Sequence, residues 1–204
     1  VAEDVTTWYT SDTHFGHANI IKYCDRPWAT ADEMDAAMRE RWNSVVQPED
    51  TVYHMGDVIM NMGKLWNVEH LNGHIYLLAG NHDPVWDGYK SKKDANQSKA
   101  LDRYLVAGFE TVNTTGILEH HALADGQLVT LSHLPYVGDS RHGEGRYNPW
   151  RPKDSGEVNI CGHVHGAWKT YGRSLNVGVD VWDFYPVHED VVIDTIARFI
   201  TNRL

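Results

Sequence analysis

Short apolar runs alternate with longer stretches of helical period through the first half of the chain. VTTWYTS (5–11), TVYHM (51–55) and HIYLLA (74–79) have the length and the β-branched or aromatic content of buried strands. Between the first two, TADEMDAAMRERWNSVV (30–46) puts Met34, Ala37, Met38, Arg41, Trp42 and Val45 at three- and four-residue steps. That spacing predicts a helix with one mostly apolar face. Thr30 and Glu33 have the spacing of a capping box at its start, and Pro48 stops it. Weaker helical patterns cover 61–72, ending at Asn72-Gly73, and 99–107. The second half reads differently. Strands are expected at 110–120, 127–133, 157–163 and 174–180, in a mixed or antiparallel sheet with hairpins, and 190–200 reads as a closing helix. The alternation predicts an α/β fold. A single domain over 1–204 is expected, without repeats, with 84–110 and the Gly-, Pro- and Arg-rich 136–156 as segments placed to cap a site.

The pattern is broken in one consistent way. Five expected strands each run directly into a polar cluster: Asp12-Thr13-His14, Gly56-Asp57, Gly80-Asn81-His82-Asp83, Ser132-His133 and Gly162-His163-Val164-His165. In α/β folds, ligand and catalytic groups gather at the carboxyl ends of strands. Taken singly, a Gly-Asp is an ordinary turn and an Asp-x-His an ordinary surface loop. The ordered set, with a strand before each member, is specific. Carboxylate, amide carbonyl and imidazole are the ligands of hard and borderline divalent cations, and no cysteine pair stands near them. Two cations held about 3.5–4 Å apart need a bridging anion, which a carboxylate can supply and an imidazole cannot. The glycines before Asp57, Asn81 and His163 are expected to let the backbone turn sharply and to leave room for the metals.

Composition narrows the classes. At 42% hydrophobic and 23% charged residues the chain is an ordinary globular one, with no apolar run long enough to cross a bilayer. VAEDVTTWYTSD lacks the basic and apolar regions of a signal peptide. Cys24 and Cys161 either pair or, as two reduced thiols, fit a cytoplasmic location, which is the expectation here. A net charge of −10 argues against a tight grip on duplex nucleic acid, while a carboxylate-rich metal site would use part of the acid. Thirteen histidines stand out, because histidine is the commonest metal ligand.

The string DTH…GD…GNHD…H…GHVH, in this order, resembles the calcineurin-like metallophosphoesterases, over about residues 8–186. SDTHFGHANIIKYCDRPW and LNVGVDVWDFYPV look like a branch of small single-domain bacterial and phage phosphoesterases. The resemblance implies two packed mixed β-sheets flanked by helices, a four-layer sandwich. It implies two divalent metal ions, manganese first, with iron, zinc or nickel also suited to the ligands. By the same resemblance Asp12, His14, Asp57 and His165 hold one ion and Asp57, Asn81, His133 and His163 the other, with Asp57 as the bridge. A metal-bridging hydroxide would attack phosphorus in line, and His82 would stabilise the transition state or protonate the leaving oxygen.

Other residues are read against plainer roles. Asp83 either orients His82 or finishes the turn. His17 either reaches the site or lies on the surface. His54 reads as a satisfied core histidine, and His70, His74, His120, His121 and His188 as solvent-exposed. Lys90 to Lys93 reads as a solvated face. In 136–156, Arg141 and Arg146 are placed to contact substrate, with His142 and Arg151, and Trp150 either fills core or stacks on a base. GDVIMNMG lacks the Asp-Arg pair of the serine/threonine phosphatase branch. A missing cation matters less for a singly charged diester than for a dianionic monoester. The expected activity is therefore hydrolysis of small nucleotide-type phosphodiesters, cyclic ones included. Two alternatives stand beside it: a nuclease or nucleic-acid end-processing phosphoesterase, and a non-catalytic scaffold of the same fold.

Overall fold

The computed structural model describes residues 5–89, 97–139 and 145–201. Its first sheet contains β1 (Thr7–Thr10), β2 (Thr51–His54), β3 (His74–Leu78), β4 (Phe109–Asn113) and β10 (Val187–His188). The order is β10-β1-β2-β3-β4, with β1 to β4 parallel and β10 antiparallel at the edge. The second sheet contains β5 (Ile117–Ala122), β6 (Leu128–Ser132), β7 (Val158–Cys161), β8 (Thr170–Tyr171) and β9 (Ser174–Asn176), in the order β5-β6-β7-β9-β8. It is mixed: β6, β7 and β9 run parallel, and β5 and β8 pair antiparallel at its margins. The architecture is α/β with two mixed sheets flanked by helices, as expected.

Alternation along the strands divides the core. Val52, Ile75 and Leu77 face outward from the first sheet into a layer formed by α2 (Ala31–Val45), the 3-10 helix Met62–His70 and α3 (Gln97–Val106). Tyr9 and Leu78 face the other way, against Val129, Leu131, Val158, Ile160 and Leu175 of the second sheet, and α4 (Glu189–Thr201) adds Val192 and Ile196 to this inner core. Period 2 makes both faces apolar, so the central strands read as continuous apolar runs. α2 starts as expected, with the Thr30 side chain accepting from the Glu33 amide and Glu33 returning the bond to the Thr30 amide.

Three expectations need adjustment. The stretch 110–120 is two strands, because Asn113 Oδ1 accepts from the amides of Thr115 and Gly116 and turns the chain there. β4 stays in the first sheet and β5 begins the second, so this turn carries the chain between sheets. The helix at 61–72 is a 3-10 helix. The strand expected at 174–180 ends at Asn176, whose side chain accepts from the Gly178 amide and leads into a 3-10 turn at Val179–Val181. Short elements such as α1 (Ala18–Tyr23), β8 and β10 lie below the length at which periodicity reads. No helix among the described residues is long and apolar enough to cross a membrane.

Candidate metal centre

The carboxyl ends of β1, β2 and β3 continue past the sheet as hydrogen-bonded loops. The Asp12 amide donates to Gly56 O and the His14 amide to Asp57 O, each at 3.0 Å. A parallel bridge between Ser11 and Gly178 joins the two sheets at this end, and the Gly162 amide donates to His133 O at 3.1 Å. All five polar clusters therefore meet in one place. The glycines act there mainly through close approach. A Cβ on Gly80 would lie 2.3 Å from Asp57 Oδ1, and one on Gly162 would lie 2.5 Å from Asp12 Oδ2. Of the three, only Gly56 has a positive φ, at 85°. The sharp backbone falls on the expected ligand positions themselves. Asp12, His14, Asp57, His163 and His165 all have φ between 49° and 71° and make up five of the nine non-glycine residues with positive φ among those described. Side chains rarely adopt that conformation, and its cost is about 1–3 kcal/mol each. Such strain persists where the surroundings impose it, characteristically at functional sites.

Asp57 sits at the middle of the cluster. Its Oδ2 lies 3.5 Å from His14 Nε2 and 3.5 Å from His133 Nε2. His133 donates Nδ1–H to the Met55 carbonyl at 2.7 Å, which leaves Nε2 facing both Asp57 and Asn81 Oδ1, the latter at 3.0 Å. With the imidazole neutral, three acceptor atoms converge there without a donor. Asp12 Oδ1 and both ring nitrogens of His14 are buried and have no hydrogen-bond partner. Such groups are costly to bury unless something binds them. Asp12, His14 and His165 form one group with ligand atoms within 4.8 Å of one another, and Asp12, Asp57 and His133 form another. The donor set fits divalent cations in oxygen and nitrogen coordination.

The electrostatics agree. Burial would raise Asp57, but His133, His82, His14 and the His82 amide hold its carboxyl below the usual range. Burial pushes Asp12 up against the pull of His165 and His133. It also drives His14 and His163 well below the ordinary imidazole value. His165 is the exception. Burial lowers it, but hydrogen bonds to Asp180 and Cys24 and the nearby charges of Asp12 and Asp180 outweigh that and raise it to about 11.

Of the carboxylates that support this cluster, Asp83 stands in the strand-end run Gly80-Asn81-His82-Asp83, while its long-range partners and the role of Asp180 carried no clear sequence signal. Asp83 is fully buried and finishes the turn, as one of its two expected roles has it, with its amide donating to Gly80 O at 3.1 Å, and its carboxylate reaches further. Its Oδ2 accepts from the amides of Asp57 (2.7 Å) and Gly80 (2.8 Å), and its Oδ1 from the Val58 amide (3.1 Å) and Tyr104 hydroxyl (3.0 Å). It ties the β3 loop to the β2 loop and to α3. Asp180 accepts from His165 Nδ1 at 2.9 Å and from the Arg26 guanidinium at 2.8 and 3.0 Å. Arg26 also donates to the carbonyls of Asp12 and Thr13, so it clamps the β1 loop. The available signal for Asp180 was its position behind the apolar run of SLNVGVD.

A cavity of about 620 Å³ opens onto the cluster. His14, Asp57, Asn81, His82, His163 and His165 line it, and His17 does too, with its Nδ1 buried and unpartnered and its ring 5.4 Å from that of His14. The His82 ring stands 5.5 Å from His14, and its amide donates to Asp57 Oδ1 at 2.8 Å. Of the two expected capping segments, 136–156 supplies Gly138, Asp139, Arg146 and Tyr147 to the wall. The described part of 84–110 supplies none of the lining, and its α3 packs Ala100 and Tyr104 into the outer core. Trp150 packs against that core also, 5.2 Å from Trp86. Arg141, His142 and the lysine run 90–93 lie outside the described residues. His54 is a satisfied core residue, bonded to Thr13 Oγ1 and to the Gly56 amide.

The chain is 33% identical to the Gene 66 protein of Mycobacterium phage D29, over 96% of each sequence. It is 29% identical to an uncharacterized protein of Methanocaldococcus jannaschii, over 92% of this chain and 89% of that one. A crystal structure of a protein of unknown function from Aquifex aeolicus shares the fold, with a TM-score of 0.65 at 24% identity, covering 95% of this chain and all of the other. No family model matches the sequence.

Proposed function

The chain belongs to the family of the mycobacteriophage Gene 66 proteins, and we propose that it is a dinuclear metal-dependent phosphoesterase of the calcineurin-like type, acting on small nucleotide-like phosphodiesters. The observation that carries the proposal is Asp57, one of whose oxygens is equidistant from His14 and His133. Those histidines belong to different expected metal positions, which supports Asp57 as the bridge. Asp12, His14 and His165 would complete one position, and Asn81, His133 and His163 the other. The two sheets and their helices would then correspond to the four-layer sandwich of that type. Bound divalent ions, with manganese our first choice, would supply Lewis-acid activation of water and neutralise charge on the phosphoryl oxygens.

The remaining steps fall to the chain's own residues. The His82 amide is fixed by Asp57, which sets the ring beside the ion-binding cluster and on the cavity wall. From there it donates a proton to the leaving oxygen. Arg146 is the only Lys or Arg lining the cavity among the described residues, and its guanidinium stacks 5.1 Å from the Tyr147 ring. One cation suits a singly charged diester better than a dianion, and Tyr147 offers an aromatic face to a base or similar ring.

The test is hydrolysis of bis-p-nitrophenyl phosphate against p-nitrophenyl phosphate, with Mn²⁺ and with EDTA. Chelator-sensitive cleavage that favours the diester is expected. Equal or faster cleavage of the monoester would overturn the substrate class, and cleavage insensitive to chelator would overturn the metal mechanism.

A further inference from the structure

The two histidines of Gly-His-Val-His are held by different means, and the contrast assigns a role to a residue outside the expected ligand set. His165 turns Nδ1 to Asp180, which Arg26 grips with two bonds. His163 turns Nε2 to Asp139, 3.6 Å from its Oδ2, just beyond hydrogen-bond length. That same oxygen accepts from Arg151 Nη2 at 2.6 Å, and Arg151 also donates to the Pro135 carbonyl. Asp139 and Arg151 are only 16% and 13% exposed at their side chains, so the pair is largely shielded from water and holds its geometry better than a surface ion pair would. The His163 ring is boxed in by His133 at 5.2 Å and Tyr147 at 5.3 Å, both edge-on.

We propose that Asp139, anchored by Arg151, is a positioning residue for His163 that keeps the proton on Nε2 and leaves Nδ1 as the ligand nitrogen. The molecule then has two parallel chains, Arg26–Asp180–His165 and Arg151–Asp139–His163, one behind each histidine, with Asp180 facing Nδ1 of one and Asp139 facing Nε2 of the other. A carboxylate behind a ligating histidine fixes the ring and raises its basicity, and losing it typically weakens metal binding about 10–100-fold. The proposal rests on the dinuclear reading for its metal arm only. Its tautomer arm is independent of any ion.

The experiment uses the full chain stripped by chelator, with Asp139→Asn and Asp180→Asn variants and Arg151→Lys as a milder change. Calorimetric titration with Mn²⁺ alone is expected to show two binding steps in the unsubstituted protein. Asp139→Asn should weaken one step about 10–100-fold and spare the other, Asp180→Asn should weaken the other, and Arg151→Lys should follow Asp139→Asn with a smaller loss. In parallel, ¹⁵N histidine spectra of the metal-free protein should show His163 in the Nε2–H form, shifting toward Nδ1–H in Asp139→Asn. Unchanged binding steps together with an unchanged His163 tautomer in Asp139→Asn would overturn the proposal, as would an Nδ1–H form in the unsubstituted protein. A protein that binds no Mn²⁺ would sink the dinuclear reading, and the tautomer spectra would still decide the role of Asp139.

Discussion

Gly80→Ala is the sharpest test of how the site is assembled. Gly80 has no positive φ, so alanine is conformationally acceptable there and, by restricting the unfolded chain, would stabilise by about 0.4–1 kcal/mol if space allowed. Space does not allow it. The new Cβ would lie 2.3 Å from Asp57 Oδ1, 2.5 Å from Asp57 N and 2.8 Å from His133 Nδ1. Carbon contacts are comfortable near 3.5 Å, so the β3 loop must retreat from Asp57 by about 1 Å. The His82 amide, now 2.8 Å from Asp57 Oδ1, would pass out of hydrogen-bond range. Overpacking of this kind costs about 1–3 kcal/mol, and losing a hydrogen bond to a charged group about 1.5–3 kcal/mol. A net loss of about 2–5 kcal/mol is expected, read by urea denaturation in EDTA, with Mn²⁺ affinity down at least about tenfold by calorimetry. Gly126→Ala is the control, since its φ is 84° and nothing lies within 4 Å of its Cβ. It should cost only about 1–2 kcal/mol of backbone strain and leave metal binding alone. A Gly80→Ala protein as stable as the parent, with undiminished Mn²⁺ affinity, would refute the close-approach argument.

Asp57→Asn should abolish the second Mn²⁺ step and all hydrolysis, while His82→Ala should keep both steps and lose about 100-fold or more in kcat. An active His82→Ala enzyme would remove His82 from the mechanism. Metal affinity should rise with pH. His165, raised to about 11, carries a proton at neutrality that a cation must displace, so Mn²⁺ affinity should gain up to about tenfold per pH unit below that value. Calorimetry in buffers of different ionisation enthalpy checks the released proton, and pH-independent affinity would contradict the assignment. Asp83→Asn exchanges one acceptor oxygen for a donor facing two N–H or O–H groups, offset by relief of a buried charge, for a net loss of about 1–3 kcal/mol in EDTA. Burial and the neighbouring Asp57 raise Asp83 to about 6, above its unfolded value, so the folded state binds the extra proton. The Asp83 contribution to metal-free stability should therefore fall as pH rises from about 4 to about 6, against the rise from the buried His14 and His163, so the stability difference between parent and Asp83→Asn should shrink over that range.

These predictions fall on two kinds of residue that differ in how plainly a sequence displays them. That Asp12, His14, Asp57, Asn81, His133, His163 and His165 cluster was legible because a strand end is a short-range pattern and their side chains are poorly suited to a core. The two sheets were legible for a related reason, since Val52, Ile75 and Leu77 face one core while Tyr9 and Leu78 face another, which makes continuous apolar runs. The turn at Asn113–Gly116 was not, because apolar and β-branched residues continue on both sides of it. The supporting groups were hidden by distance. Arg26 meets Asp180 across 154 positions, and Asp83 meets Asp57 across 26. An isolated Asp or Arg in a polar loop looks the same whether it is solvated or buried.

The same distinction bears on what specifies the site. Every expected ligand but Asn81 occupies a backbone conformation or a buried position that its own residue type disfavours. Backbone carbonyls hold some of them, as Met55 O holds His133, and carboxylates or a guanidinium elsewhere in the chain hold others. Asp83 acts on the Asp57 and Gly80 amides, Arg26 on the carbonyls of Asp12 and Thr13, and Asp180 on His165. The strain is thus imposed in part from outside the expected ligand set and in part by bonds within it, such as the His163 amide to Asp12 Oδ2, and surroundings that impose strain are the condition under which strained residues persist. It follows that ligands transplanted without these partners onto another α/β scaffold would relax to ordinary φ values and lose the convergence on Asp57. Strand-end motifs mark where such a centre is, and the long-range acid and arginine contacts are what make it a centre.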